Sequence, residues 1–167
     1  MGLDIKLVIE SSDSDSFSSP SAIAYFSPPR DTETFIALAG MWEKPCFIPA
    51  RGFPDPASLM AVAHYGRVIV DTVEDADGWG TATISRELAN ECLESKQSHA
   101  LDYIGEWISA PQYAYPGWLR LHELKSALEF SGIETSHLST DFQLAMDMMK
   151  SIEMRGSFSR MVFWFDY

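Results

Sequence analysis

The closing run Met161-Val162-Phe163-Trp164-Phe165-Asp166-Tyr167 limits what this chain can fold into more than any other segment. Val162 to Phe165 are four large hydrophobes in succession, and left exposed they would be insoluble. Their β-branched and aromatic character favours an extended, covered conformation over a helix. A buried strand is therefore predicted where most domains carry a frayed tail. The other end has a matching period-2 pattern, with Leu3, Ile5, Leu7 and Ile9 on one face and Asp4, Lys6, Val8 and Glu10 on the other. Both ends are expected to be strands of one sheet, closing residues 1–167 into a single domain.

A chain of 167 residues that is 46% hydrophobic can bury one core without disulfide or metal staples. Cys46 and Cys92 are too few for a disulfide framework, and Met1 leads straight into a strand pattern with no signal peptide, so a reducing, cytoplasmic setting is expected. No apolar run approaches the ~20 residues that cross a bilayer, and no membrane partner is expected. With 24 acidic against 12 basic side chains, the net charge of −12 argues against direct nucleic-acid binding, which needs clustered Lys and Arg. Two readings of that charge stand. It suits a partner with a basic groove, including a nucleic-acid-binding protein blocked by something resembling its ligand. Equally, it keeps a chain that is 13% aromatic apart from its copies.

Residues 11–20, Ser11 to Pro20, form a serine and aspartate tract with little to bury and are expected to be a mobile loop. Ala22 to Phe26 reads as a short extended piece stopped by Pro28-Pro29. Asp31 caps a predicted helix from Thr32 to Ala39, and Gly40 supplies its left-handed stop. Met41 to Pro56 carries four prolines and Gly52 and excludes regular elements, leaving Trp42, Phe47, Ile48 and Phe53 to cover something. Asp55-Pro56 reads as the start of a helix running to Tyr65. Arg67 to Asp71 reads as a strand in preference to a further helical piece, and Thr81 to Ile84 as a short extended piece. Helices are predicted from Ser85 to Ser95, from His99 to Ile108 with Leu101, Ile104 and Ile108 on one side, from His122 to Phe130, and from Ser139 to Met154. Tyr113 to Leu121 is extended.

No stretch spells a catalytic, metal or cofactor site. His64, His99, His122 and His137 lack the helical-turn pairing of a zinc site, and the remaining proton-transfer candidate is His122 beside Glu123. Gly78-Trp79-Gly80 lacks the third glycine and the lysine of a phosphate loop. Arg51-Gly52-Phe53-Pro54-Asp55 sets a guanidinium beside a ring ahead of a helix start, which is able to hold a small anion; an Arg51 to Asp55 ion pair bracing the loop is the other reading. A ligand or partner surface is expected among Arg51, Phe53, Tyr113, Tyr115 and Trp118. Asp71, Glu74, Asp75 and Asp77 form the densest acidic surface. Trp42, Trp79, Trp107 and Trp118 either anchor contacts or plug the irregular loops.

Five segments resemble a group of small, uncharacterised proteins of tailed bacteriophages and prophages. They are Met1-Gly2-Leu3-Asp4-Ile5, Arg30-Asp31 to Leu38-Ala39-Gly40, Pro49-Ala50-Arg51-Gly52-Phe53-Pro54-Asp55, Trp118 to Leu124, and Val162-Phe163-Trp164-Phe165-Asp166. Members of that group tend to carry a His-rich stretch where this chain has Gln112-Tyr113-Ala114-Tyr115-Pro116. The resemblance implies a phage-linked origin in a bacterial cytoplasm and supplies no activity. The expected architecture is α+β, with a small, mainly antiparallel sheet holding both terminal strands, helices on one face and a long proline-rich cover. The expected function is non-enzymatic binding of a host protein, such as a counter-defence inhibitor, through an acidic and aromatic surface. The alternatives are sequestration of a nucleotide through Arg51, and a hydrolase with an unrecognised site around His122. No cofactor is expected.

Overall fold

The computed structural model describes residues 4–40, 44–71, 82–102 and 105–166. Leu3, Trp42, Glu74, Asp75, Asp77, Gly78, Trp79, Gly80 and Ile104, named above, lie outside the described residues. In chain order the elements are β1 (Asp4–Ser12), β2 (Ser21–Phe26), α1 (Thr32–Ala39), α2 (Leu59–Tyr65), β3 (Gly66–Val70), β4 (Thr83–Ser85) and α3 (Arg86–Glu94). Then follow β5 (Ala100–Leu101), β6 (Trp107–Ser109), β7 (Tyr113–Arg120), α4 (Leu121–Phe130), α5 (Thr140–Met154) and β8 (Phe158–Asp166). The fold is α+β. It divides into a terminal unit, residues 1–58 with 114–167, and an inserted unit, residues 59–113.

In the terminal unit the two ends of the chain pair antiparallel over nine positions, from Asp4 opposite Asp166 to Ser12 opposite Phe158. The sheet order is β2-β1-β8-β7. Strand alternation puts Ile5, Leu7 and Ile9 beside Phe165, Phe163 and Met161 on one face. Against that face α1 delivers Phe35 and Leu38, α4 delivers Leu124 and Leu128, and α5 delivers Phe142, Met146 and Met149, all buried in one cluster. Helix α1 starts and stops as its sequence predicts. Asp31 accepts from the Glu33 N–H at 3.0 Å, and Gly40, at φ 62°, donates to the Ile36 carbonyl. Ser85 and Ser139 cap α3 and α5 in the same way. Residues 44–58 form no regular element, as their prolines require. Both outer strands are blunted: β7 contains Pro116, and β2 has a bulge opposite Ile9 and Glu10.

Two features of this unit depart from expectation. The 11–20 tract does have something to bury, because Phe17 is only 2% exposed and β1 itself runs on to Ser12. Phe17 sits at φ 52°, a strained value for a bulky side chain that its packing over-determines. The other departure is the helix read from Asp55-Pro56, since α2 begins only at Leu59. Arg160 Nη2 takes the Pro56 carbonyl at 2.6 Å and Glu10 takes the Ser58 N–H at 2.6 Å. Long-range side chains thus claim the backbone groups that a first helical turn would have used.

The inserted unit has its own sheet, in the order β4-β3-β6-β5, with β3 parallel to β4 and antiparallel to β6. Ile84, Ala89, Cys92 and Ile108 form its core, with Ile69 and Leu93 against them. The helix predicted from His99 to Ile108 is replaced by β5 and β6, which pair Ala100 with Ile108 and Leu101 with Trp107. Leu101 and Ile108 have helical spacing, yet both reach the interior from facing strands. Gly105 at φ 79° lies between those strands, and β6 gains a second ladder on β3, which a short isolated helix could not offer.

Candidate functional site

On the sheet face opposite the helices, three arginines and two aromatic rings of the terminal unit lie in alternation. Arg51 stands 4.4 Å over the Trp118 ring, Arg160 lies 5.6 Å from Trp118 on one hand and 4.5 Å from Phe17 on the other, and Arg120 lies 5.1 Å from Phe17. Each guanidinium also has its own carboxylate. Arg51 makes a two-point pair with Glu123, Nη1 to Oε2 at 2.8 Å and Nη2 to Oε1 at 2.5 Å. Arg160 Nε donates to Glu10 Oε2 at 2.6 Å, its direct neighbour across the β1/β8 ladder. Arg120 donates to the Asp15 carboxylate and the Asp15 carbonyl.

Burial differs along this stack. Glu10 is 0% exposed and Arg160 3%, so the central pair is fully desolvated. It persists because the other polar atoms are also used: Glu10 accepts the Ser58 N–H and Arg160 donates to Pro56. Burial alone would raise the Glu123 carboxyl. The Arg51 pair, the Arg120 N–H and the positive charge nearby together outweigh it and hold the group below its ordinary value. Glu123 is thus fixed as an anion at the start of α4, where the helix dipole favours it.

The residues singled out from sequence are brought together only in part. Arg51 and Trp118 are in contact, but Arg51 pairs with Glu123 and not with Asp55. Phe53 packs edge-on against Trp164 at 6.3 Å. Tyr115 points to the helix-covered side, edge-on to Phe35 and Phe165 at 6.3 and 6.5 Å. Tyr113 belongs to the inserted unit, where it stacks on Tyr65 at 6.0 Å and under Arg67 at 5.3 Å. Phe47, expected only to cover something within its loop, and Phe130, not named as a site residue, are 47% and 54% exposed with ring centres 5.8 Å apart. Phe47 in a proline-rich stretch and Phe130 at a helix end were the available signals.

The inserted unit carries the denser charge. Nine of its side chains are acidic and three are Lys or Arg, a net of −6 in 55 residues, and the remaining −6 is spread over the 112 residues of the terminal unit. Asp71 is not free, since Arg86 Nε donates to it at 2.7 Å and the same guanidinium reaches Glu106 at 2.6 Å. Glu74, Asp75 and Asp77 lie outside the described residues, and among the described ones an open acidic face lies on α3. Glu87, Glu91 and Glu94 are exposed at i, i+4 and i+7, with Leu88, 48% exposed, at their margin and Ala89 and Cys92 buried on the far side. None of the three has an ion-pair partner among the described residues.

His99 is held by Ser109: its Nδ1 lies 3.0 Å from Ser109 Oγ, and its backbone N–H donates to the same oxygen at 3.0 Å. Tyr65 also bonds Ser109, and burial pushes its phenol pKa well above the ordinary value. Burial lowers the His99 pKa and keeps the ring neutral, suited to accept from Ser109. Ser109 is only 3% exposed, so the pair braces the β5/β6 hairpin and presents no open nucleophile. His122, by contrast, is exposed, and its neighbour Glu123 is committed to Arg51. Among the described residues no group of three or more His, Cys, Asp or Glu could hold a metal ion, and no helix is long and apolar enough to cross a membrane.

Comparison of the chain with protein-family models, with curated proteins and with solved structures found no match.

Proposed function

We propose that this chain is a binding protein whose inserted unit docks on a basic surface of a partner protein through the outer face of α3. One observation carries the reading: Glu87, Glu91 and Glu94 form a carboxylate row with no ion-pair partner among the described residues, beside an exposed leucine, whereas the arginines of the terminal unit's aromatic stack are each neutralised at home. Unpaired charges of one sign attract a complementary surface and speed encounter. The resemblance to small phage proteins makes a bacterial host protein the class of partner, with inhibition of a defence function as its purpose. A nucleotide held by Arg51 is the weaker reading, because the ligand would have to displace a two-point Glu123 pair. A hydrolase around His122 has the same difficulty, with Glu123 already engaged.

Affinity capture from bacterial lysate, analysed by mass spectrometry, tests the proposal. One host protein should be recovered at about 0.1 M salt and lost at about 1 M, where the screening length falls from about 10 Å to about 3 Å. The triple substitution Glu87→Lys, Glu91→Lys, Glu94→Lys should abolish recovery without unfolding the protein. Capture unaffected by both salt and charge reversal sinks this reading.

A further inference from the structure

A pocket of about 350 Å³ opens in the terminal unit where the last turns of α5 approach β2. Its apolar wall is Ile23, Met148 and Ile152, and its polar rim is Ser11, Ser151 and Arg155, with Ser157 completing the edge. Arg155 stands apart from the other six arginines. Arg30, Arg51, Arg86, Arg120 and Arg160 each hold a carboxylate, and Arg67 donates to the Gly66 carbonyl and lies over Tyr113. Among the described residues Arg155 has no carboxylate partner, in a chain with 24 acids to 12 bases. The Ser11 and Ser151 hydroxyls are likewise without a side-chain hydrogen bond there, while Ser157 donates to Asp13 Oδ1 at 3.2 Å.

We propose that this pocket binds a small aliphatic monocarboxylate. A guanidinium matches a carboxylate with two parallel donors, and the two hydroxyls can complete the head-group shell. The wall holds no aromatic ring on which a nucleobase could stack, and its branched and thioether side chains suit an alkyl chain. Asp13 behind Ser157 penalises a second negative charge, so a monoanion is favoured over a phosphate dianion. A cavity of about 150 Å³ holds a benzene ring, so this one accommodates a chain of about eight carbons with its head group. The site lies within the terminal unit, shares no residue with α3 and does not depend on a protein partner.

The test uses octanoate as probe and octylammonium as control, followed by methyl NMR of the full chain. Octanoate should shift the methyl signals of Ile23, Met148 and Ile152 saturably, and Arg155→Gln, an exposed position, should weaken binding about tenfold or more. Octylammonium should leave these methyls unmoved. Equal affinity in Arg155→Gln, equal binding of the cation, or no saturable shift at the three methyls overturns the proposal. The remaining methyl signals report whether the variant is folded.

Discussion

The two faces of the terminal sheet are made by alternate residues of the same strands, and both bury hydrophobes, Val8, Val162 and Trp164 on the second, but only that second face also buries a charged pair. One face presents Ile5, Leu7, Ile9, Met161, Phe163 and Phe165 to three helices, and contains no charged group. The other presents Glu10 and Arg160 to irregular chain, the 11–20 tract and the proline-rich 44–58 segment. Helices arrive with their backbone hydrogen bonds already made, so an apolar sheet face suffices beneath them. Irregular segments arrive with open N–H and C=O groups, and a strand beneath them has to provide donors and acceptors. A buried ion pair is how this sheet does so.

Four variants would break or sharpen that contrast. Glu10→Ala has the largest expected effect, about 3–5 kcal/mol by urea denaturation, because it strands a buried guanidinium and the Ser58 N–H. A loss below about 1 kcal/mol would mean that the loop-covered face does not depend on its charges. The double swap Glu10→Leu with Arg160→Met comes next. Buried pairs can often be replaced by hydrophobes without cost, but here the Ser58 N–H and the Pro56 carbonyl would lose their bonds to Glu10 and Arg160, and about 2–4 kcal/mol should still be lost. Recovery to wild-type stability would show that water or a shifted loop satisfies those groups.

On the helix-covered face the sensitivity is to volume. A Cβ at Gly117 would fall 2.5 Å from the Phe163 ring, so Gly117→Ala should cost about 1–3 kcal/mol through overpacking, read as a fall in Tm. The smallest effect is expected for Arg51→Ala, about 1 kcal/mol at pH 7. The Glu123 carboxyl lies below its ordinary 4.5, so its contribution is present above that pH and disappears as pH falls through the lowered value. Wild-type and Arg51→Ala stabilities should therefore converge in acid. A gap that persists there would assign the role of Arg51 to its packing on Trp118 and not to its charge.

Local signals were readable without the fold. Asp31 and Gly40 bracket α1, Ser139 opens α5, and the apolar period of two marks β1 and β8, because capping and periodicity act within a few residues. The candidate site was less legible. Arg51 and Trp118, both named from sequence, are in contact, but Glu123, 72 residues further on, could not be paired with Arg51 from spacing, and Asp55 was the nearer carboxylate. The acidic row on α3 is inconspicuous in sequence because its carboxylates stand three and four residues apart, whereas Asp71, Glu74, Asp75 and Asp77 are close together; of these Asp71 is paired with Arg86, and the other three lie outside the described residues. The His99 to Ile108 segment misled because apolar positions seven apart satisfy a helix and also a hairpin whose two strands face one interior.

By itself the sequence determined which stretches would be strand or helix at the ends of the chain, and that its first and last segments need covering, since those follow from apolar periodicity and cap chemistry. Only the tertiary structure decided that Glu10, which its spacing places on the strand face opposite Ile5, Leu7 and Ile9, is wholly buried beside Arg160. Whether a charge faces water or a partner depends on what the rest of the chain lays over it, and 150 residues separate these two.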